Sequence, residues 1–274
     1  MSPLTPGDSI GPYVIQEELG AGGMGQVFLA HQPPAENLFA VKVIREDLAR
    51  DPVITRRFLR EAQATTRVRH PRLVEVVDSG TADGRLYLAM RHLRGEPLDN
   101  VLRARGRLDP PEVHRLVADA ASALDALHQA DLVHRDVKPS NIMIDADGHA
   151  TLMDLGLARG ADMSVLTRAG GVVGTVTYLA PELIRGSADA SPASDIYALG
   201  CVAYEAIAGR PPFEGGMFEI GMGHLERPPP ELHALRPELP PSLTEAVSLA
   251  LAKEEGRRPP SATAFAFMLG VSLR

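Results

Sequence analysis

The chain has 274 residues, 45% of them hydrophobic, which is enough to bury a sizeable core in one large domain or two smaller ones. The net charge of -7, from 28 Lys and Arg against 35 Asp and Glu, excludes a general electrostatic attraction to nucleic acid or anionic membranes. A single cysteine, Cys201, excludes an intrachain disulfide and suits a reducing compartment. It lies in an apolar run, so we expect a small core residue rather than a reactive thiol.

No targeting or membrane signal is visible in the sequence. Residues 1–11 lack the basic start and apolar block of a secretory signal. The longest apolar run, at 196–209, contains Glu205 and is shorter than the roughly 20 residues that a membrane span needs. We therefore expect a cytoplasmic protein with no nucleic acid partner and no membrane segment in this chain. A membrane tether outside these residues would leave no trace in them.

The first third of the chain is predicted to form a small β-rich lobe. Short runs of β-branched and aromatic residues, separated by Gly, Pro and Asp turns, predict five strands at 13–19, 26–30, 39–44, 74–78 and 86–90. One helix, around 53–68, interrupts them. Residues 1–11 are expected to be a flexible lead.

After Gly95 the pattern becomes helical. Asp109 is followed by two prolines and Glu112, a combination typical of a helix N-terminus, and apolar residues then recur at helical spacing. Further helices are predicted at 193–209, 218–224, 242–251 and 261–269. The sequence thus predicts an α+β protein of two lobes, with the β-rich lobe at about 12–92, a hinge at about 90–95 and a larger helical lobe at about 96–270. Ligands favour the cleft between such lobes.

A glycine-rich segment joins the first two predicted strands. Gly20, Gly22 and Gly25 carry no Cβ, so backbone amides can approach phosphate oxygens there. A flexible hairpin explains the same residues equally well. A dinucleotide-binding turn is disfavoured, because that motif runs from a strand into a helix, whereas here a second strand follows.

Lys42 lies inside an apolar strand, where an ammonium without an anionic partner is costly. Glu61, on the predicted helix, is a carboxylate that can reach Lys42 and orient it toward phosphates. For either residue taken alone, an exposed surface position is the simpler interpretation.

The run from His134 to Asn141, followed by Asp154-Leu155-Gly156, carries the clearest chemistry. Phosphoryl transfer requires an unmetallated carboxylate, a cation and oxygen ligands for a metal ion. Asp136, Lys138 and Asn141 meet these requirements, and Asp154 adds a second metal ligand. The run predicts phosphoryl transfer from a nucleotide.

In this order the motifs resemble those of a protein kinase catalytic domain, and more closely those of the bacterial serine/threonine kinases of eukaryotic type. The resemblance covers about residues 13–268. It implies the two-lobed kinase fold and an ATP-dependent protein serine/threonine kinase that uses Mg²⁺, or Mn²⁺, and acts on protein substrates.

The resemblance also assigns roles by position. Asp136 matches the base that accepts the proton of the acceptor hydroxyl, and Lys138 matches the γ-phosphate contact. Lys42 and Glu61 match the ion pair of the active state. The positions that match nucleotide-binding residues are Gly20, Gly22, Gly25, Val27, Ala40, Lys42, Met90, Leu93 and Met143.

Metal and acceptor sites follow from the same resemblance. Asn141 and Asp154 match the metal ligands. Thr175 matches a residue beside the acceptor hydroxyl, and Glu182, which closes the substrate platform, is expected to pair with Arg258. In addition, Asp195 matches the aspartate that braces the catalytic-loop backbone, and His134 is expected to be a packing residue rather than a proton carrier.

Regulation by phosphorylation is a further hypothesis. Arg135 and Arg159 can converge on a phosphate added to the loop that follows Asp154, since two arginines are good phosphate partners. Thr167 is the expected autophosphorylation site, with Ser164 as the alternative. A homodimer of kinase domains is a candidate arrangement for that reaction.

Several positions depart from the family pattern. Leu155 replaces the usual Phe, which we expect to be neutral for activity. Arg91 and His92 are unusual in the hinge, but nucleotide binding should survive because the hinge binds adenine through backbone groups. Arg94 lies where related kinases carry an acidic residue near the ribose, which puts the ribose contacts in doubt, and Thr65 is polar where an apolar residue is common.

Two other functions compete with an active protein kinase. A pseudokinase, acting as a nucleotide-gated binding module, would keep the fold, but the intact set of motifs argues against it. A small-molecule kinase of the aminoglycoside phosphotransferase type is disfavoured by the Ala180-Pro181-Glu182 segment and its expected partner Arg258.

Overall fold

The computed structural model describes residues 3–156, 173–186 and 189–271, without the side chains of residues 54 and 173–175. It contains two compact units. The first comprises residues 3–70 and 74–94, and the second comprises residues 71–73 together with the described residues from 95 onward. The predicted α+β class, with a β-rich part and a mainly helical part, is confirmed. The described residues include no helix with the length and apolar composition that a membrane span requires.

The first unit is built on an antiparallel sheet whose described strands lie in the order β1-β2-β3-β4-β6-β5. The strands are β1 (Ser9–Ile10), β2 (Tyr13–Gly22), β3 (Gly25–His31), β4 (Leu38–Ile44), β5 (Val76–Ala82) and β6 (Arg85–Arg91). A short helix, α1 (Glu46–Ala49), precedes the main helix, α2 (Pro52–Thr65), which packs against β5. The core of the sheet includes Ile15, Phe28 and Val41.

The sheet begins earlier than the sequence predicted. Ser9 and Ile10 pair with Val14 and Tyr13, and Ile10 is completely buried. These two residues belong to the stretch that was expected to be a flexible lead. A two-residue strand carries no period-2 pattern, so its burial could not be read from the sequence.

The second unit is mainly helical. Its helices are α3 (Leu98–Arg105), α4 (Pro110–His128), α5 (Pro181–Arg185), α6 (Pro192–Ala208), α7 (Met217–Glu226), α8 (Leu232–Leu235), α9 (Pro241–Ala250) and α10 (Ala262–Val271). A small antiparallel sheet has the order β7 (Glu96–Pro97), β8 (Ile142–Ile144) and β9 (Ala150–Leu152). Helix α4 packs against α6 and α10, and α6 is buried along most of its length.

Local sequence explains two features of these helices. At the start of α4, the Glu112 carboxylate accepts the Asp109 backbone N–H at 3.0 Å, which is the part of the expected capping arrangement that Glu112 supplies. Cys201 is completely buried in α6, and this burial raises the pKa of its thiol, as expected for a core residue rather than a reactive one.

A buried ion pair joins Glu182 at the start of α5 to Arg258. The Arg258 nitrogens Nη1 and Nη2 each donate to one carboxylate oxygen at 2.8 Å, and the Ser194 hydroxyl donates at 3.0 Å. The Arg258 side chain is 0% exposed. Burial opposes ionisation of Glu182, but the hydrogen bonds from Arg258 and Ser194 more than offset it, so the pKa of Glu182 lies below its ordinary value. The contact expected between Glu182 and Arg258 is therefore present.

Replacing Arg258 with Met should lower the free energy of unfolding by about 3–5 kcal/mol, because it leaves a buried carboxylate without its charge partner. Arg105 is the matched control. It makes the same two-bond contact with Glu112, at 2.8 and 2.7 Å, but the two side chains are 48% and 39% exposed. Arg105→Met should cost less than about 1 kcal/mol. Urea unfolding at pH 7 measures both, and equal losses would contradict the argument.

This loss should depend on pH. In the wild type, the depressed pKa of Glu182 contributes stability above the ordinary value of 4.5, which is lost as the pH falls through the lower folded value. In Arg258→Met, the carboxyl keeps the hydrogen bonds from Ser194 and from the Glu182 backbone N–H but loses those from Arg258, so burial is opposed less and the pKa of Glu182 is higher than in the wild type. The stability difference between the two proteins should therefore shrink on acidification.

Candidate active site

The candidate catalytic loop is anchored on Asp195 of α6, which is 1% exposed. Its Oδ2 accepts the backbone N–H of His134 at 2.8 Å and a hydrogen bond from His128 Nε2 at 2.8 Å. Its Oδ1 accepts the backbone N–H of Arg135 at 2.9 Å. The expected bracing contact is thus present, and it holds Arg135 at a φ of 67°, in the left-handed region.

His134 is completely buried and neutral. Its Nε2 lies 3.1 Å from the Met153 carbonyl oxygen, and its Nδ1 lies 3.3 Å from the backbone nitrogen of Asp136. Because a carbonyl only accepts and an amide only donates, Nε2 carries the proton and Nδ1 does not. Burial lowers the pKa of His134, against the opposing charges of Asp195 and Asp136. Both ring nitrogens are occupied, which fits a scaffold residue.

Hydrogen bonds join the catalytic loop to the Asp154 segment. The backbone N–H of Met153 donates to the Asn141 carbonyl oxygen at 2.9 Å. The backbone N–H of Gly156 donates to the His134 carbonyl oxygen at 2.9 Å. Between these two bonds, Asp154 has a φ of 63°. Both flanks of a conformation that L-residues rarely adopt are therefore fixed.

The loop brings three predicted residues together. The Asp136 side chain is largely buried, and its Oδ2 lies 3.0 Å from Lys138 Nζ and 2.9 Å from Asn141 Nδ2. Asn141 Nδ2 also donates to the Asp136 carbonyl oxygen at 2.8 Å. Both amide hydrogens of Asn141 are thereby used, and its Oδ1 remains as a ligand atom.

In the first unit, the glycine-rich segment is a hairpin in which Gly22 pairs with Gly25. Gly25 has a φ of 152°, and a Cβ there would lie 1.9 Å from the Val43 carbonyl oxygen. A Cβ on Gly20 or Gly22 would meet nothing within 4 Å among the described residues. The fold therefore requires glycine at 25, whereas packing does not require it at 20 or 22.

Lys42 and Glu61 are both buried, at 9% and 7% exposure, so neither is the surface residue that the sequence left as an alternative. Lys42 lies on β4 between Val27 and Leu88 of the neighbouring strands. Glu61 Oε1 lies 3.0 Å from Nε of Arg57, one turn earlier on α2. The Lys42–Glu61 ion pair stays a prediction. Sequence reasoning missed Arg57, although its spacing of four residues from Glu61 was a usable signal.

The other positions matched to nucleotide binding lie on four strands and a connecting segment. Val27 lies on β3, Ala40 on β4 and Met143 on β8, all half-buried, and Met90 is buried in β6. Leu93 follows β6 in the predicted hinge.

Two of the departures from the family pattern have a structural account. The buried Thr65 hydroxyl donates to the Glu61 carbonyl oxygen at 2.9 Å, so its polarity is satisfied within α2. The His92 backbone N–H donates to Leu38 at 3.3 Å, while Arg91 and Arg94 are exposed.

The segment expected to face the acceptor is a 3₁₀ helix, Val173–Tyr178. The Tyr178 hydroxyl donates to Glu205 at 2.6 Å, and burial raises the pKa of both groups. No sequence signal predicts this contact, because the two residues are far apart in the chain. The Thr175 side chain lies outside the described part, as do Arg159, Ser164 and Thr167.

The donor set suits a magnesium ion bound together with a nucleotide. Among the described residues there is no cluster of three or more His, Cys, Asp and Glu side chains that could hold a metal. Mg²⁺ commonly takes one or two carboxylates together with substrate phosphates and water, rather than a full protein cage. Asn141 and Asp154 offer oxygen donors of that kind.

Comparisons with known proteins agree with the geometry. The chain is 40% identical over 272 residues to the serine/threonine-protein kinase PknA of Mycobacterium tuberculosis, which covers 97% of this chain and 62% of PknA. It is 39% identical over 247 residues to PknE of the same organism, which covers 90% of this chain and 44% of PknE. The chain therefore spans only part of the length of these relatives.

A solved structure and a family model also match this chain to protein kinase domains. The crystal structure of the M. tuberculosis PknI kinase domain matches with a TM-score of 0.81 at 32% identity, covering 98% of this chain and 100% of that one. A family model described as "Protein kinase domain" matches residues 13–259. The kinase fold inferred from the order of the motifs is confirmed, and none of these findings supports a pseudokinase. The chain belongs to the protein kinase family.

Proposed function

We propose that this chain is an ATP-dependent protein serine/threonine kinase, which transfers the γ-phosphoryl group of ATP to Ser and Thr hydroxyls of proteins. One observation carries the proposal. A buried carboxylate, Asp136, is oriented by Lys138 and Asn141 on a loop fixed to Asp195. The names of the PknA and PknE relatives support the same activity.

The glycine-rich hairpin would bind the phosphates of ATP. Among the described residues, Gly20 and Gly22 have open space where a Cβ would stand, so a ligand that approaches the backbone closely would explain glycine there. Backbone amides of such a hairpin can donate to phosphate oxygens.

Lys42 would contact the phosphates from β4. A buried ammonium requires anionic partners, and Glu61 together with the nucleotide phosphates supplies them. The adenine ring would lie against the apolar side chains of Val27, Ala40 and Met143, with Met90 and Leu93 close to its edge.

Asn141 and Asp154 would hold Mg²⁺, or Mn²⁺, together with the phosphates. When bound, the ion neutralises charge on the phosphate oxygens. The hydrogen bonds that fix Met153 and Gly156 hold the Asp154 backbone in place for this task.

Asp136 would orient the acceptor hydroxyl and take its proton while the hydroxyl oxygen bonds to the γ-phosphorus. The bond from that phosphorus to the bridging oxygen breaks, and its electron pair leaves with ADP. The Lys138 ammonium lies beside the Asp136 carboxylate, and from this position it would move to contact the transferred phosphate. A general base contributes roughly 10²–10⁴-fold, and positioning and charge neutralisation supply the remainder.

Regulation belongs to the same proposal. Phosphorylation of Thr167, or of Ser164, would add a charge that Arg135 and Arg159 can bind, which would order the loop that follows Asp154. Transfer between two kinase domains in a homodimer is the expected route. A cytoplasmic location likewise stays a prediction.

Asp136→Asn should lower the rate of phosphoryl transfer by roughly 10²–10⁴-fold, because an amide cannot take the proton. Asp131→Asn is the control, since Asp131 is exposed and asparagine tolerates its φ of 57°. Transfer of radiolabel from ATP to myelin basic protein measures both. Nucleotide binding without transfer by the wild type would indicate a pseudokinase instead.

Gly22→Ala should raise the KM for ATP about three- to tenfold, the loss of roughly one hydrogen bond, with little change in melting temperature. Gly25→Ala should instead lower the melting temperature, because its Cβ would lie 1.9 Å from Val43. Thermal unfolding and steady-state kinetics distinguish the two. A KM unchanged in Gly22→Ala would show that the hairpin does not bind the phosphates.

Thr167 should be phosphorylated in the wild-type protein after expression and unmodified in Asp136→Asn, because the chain modifies itself. Peptide mass spectrometry of both proteins makes the comparison. An active wild type with Thr167 unmodified would contradict this regulatory site, and modification of Ser164 alone would select the alternative.

A further inference from the structure

A buried polar chain connects helix α7 to the segment Val173–Tyr178. His224, on α7, is 0% exposed. Its Nε2 lies 2.9 Å from the Thr177 carbonyl oxygen, and its Nδ1 lies 2.8 Å from the Tyr197 hydroxyl of α6. One imidazole therefore joins the acceptor-facing segment to two helices.

The direction of each hydrogen bond in this series follows from the groups at its two ends, the Lys253 ammonium and the Thr177 carbonyl. Lys253 Nζ lies 2.9 Å from the Gly223 carbonyl oxygen and 3.4 Å from the Tyr197 hydroxyl oxygen. An ammonium only donates, so the tyrosine oxygen accepts from Lys253 and its own hydrogen is directed to His224 Nδ1. The proton of the imidazole then lies on Nε2 and is donated to Thr177. The three hydrogen bonds that link Lys253, Tyr197, His224 and Thr177 therefore all point the same way, from Lys253 to the Thr177 carbonyl.

Neutral His224 is required for this arrangement. Burial lowers its pKa to about 4, and the charge of Lys253 acts in the same direction. At neutral pH, Nδ1 is consequently an acceptor. The burial of Lys253 likewise lowers the pKa of its own ammonium to about 8.

Aromatic packing fixes the position of the imidazole. Phe213 and Tyr197 lie edge-on to it, with ring centroids at 4.9 and 5.6 Å. Lys253 Nζ lies 4.6 Å from the Phe213 centroid. A Cβ on Gly223, the residue before His224, would lie 2.6 Å from Phe213, so the helix is seated closely against that ring. His224 has little freedom to follow a displaced Thr177.

Thr177 occupies a sensitive position. It lies between Thr175, which is matched to the acceptor site, and the Glu182–Arg258 pair. The next residue, Tyr178, is held separately by Glu205. His224 therefore contacts the backbone of the acceptor-facing segment at Thr177, one residue before the Tyr178–Glu205 hydrogen bond.

We propose that His224 is a positioning residue for the protein acceptor, which holds the Thr177 carbonyl so that the segment Val173–Tyr178 keeps the shape that binds the acceptor chain. This inference rests on the proposed kinase activity. Because His224 touches neither the nucleotide-binding positions nor Asp136 among its described contacts, its loss should affect acceptor binding and leave the ATP site unchanged.

Two variants test the hydrogen bond itself. His224→Phe keeps a planar ring but removes the donor, whereas His224→Gln keeps an N–H near the position of Nε2. We expect His224→Phe to raise the KM for myelin basic protein about tenfold, the effect of one buried hydrogen bond. The KM for ATP and the slow hydrolysis of ATP without acceptor should be unchanged. His224→Gln should restore the KM for the protein acceptor to within about threefold of the wild type.

Tyr197 and Tyr204 provide a matched pair in case His224→Phe fails to fold. Both are buried in α6, but the Tyr204 hydroxyl has no hydrogen-bond partner among the described residues. Tyr197→Phe should raise the KM for myelin basic protein about threefold, because Nδ1 of His224 loses its donor. Tyr204→Phe should leave it unchanged.

The outcomes separate the two proposals. A wild type that binds ATP but phosphorylates no protein overturns the proposed function, and the role of His224 with it. An active wild type whose KM for myelin basic protein is the same in His224→Phe, or in Tyr197→Phe where the former does not fold, overturns the role of His224 alone. A parallel rise in the KM for ATP would also overturn it, since that result indicates a general loss of structure.

Discussion

Asp195 is a carboxylate buried within a helical core, and such a group requires donors because its charge has lost its water. The backbone N–H groups of His134 and Arg135 and the imidazole of His128 supply them. Meeting this requirement fixes two successive peptide units immediately before Asp136. The direction of the candidate catalytic carboxylate is therefore determined by the hydrogen-bonding needs of Asp195, sixty positions after Arg135 in the chain. Lys138 and Asn141 then orient the carboxylate itself.

Two strained backbone positions lie where this loop meets the Asp154 segment. Arg135 and Asp154 both have φ values near 65°, namely 67° and 63°. A left-handed conformation costs about 1–2 kcal/mol for each such residue. The hydrogen bonds from Met153 and Gly156 to the catalytic loop offset this cost and leave few alternatives for either backbone. A candidate metal ligand and a candidate phosphate sensor thus both lie at strained positions held by their surroundings.

Much of the fold followed from the sequence, because the motifs occur in a fixed order and the helices carry clear periodicity and caps. The structure places Asp136, Lys138 and Asn141 together as expected. Contacts that depend on chain folding could not be predicted. Tyr178 meets Glu205 across 27 positions, and His224 meets Thr177 across 47. Nor could the sequence decide the partner of Glu61, because Arg57 at helical spacing and Lys42 on a strand are both chemically suitable.

The region proposed to face the acceptor is held by three contacts of different chemistry. A neutral imidazole holds the Thr177 carbonyl, Glu205 holds the Tyr178 hydroxyl, and a buried arginine holds Glu182. Apolar side chains of similar volume would often stabilise such a core as well, because burying charge has a desolvation cost that an ion pair must offset. Stability alone therefore does not explain these groups. Hydrogen bonds differ from apolar contacts in fixing direction as well as distance, and direction is what a segment must have if it is to set an acceptor hydroxyl against Asp136.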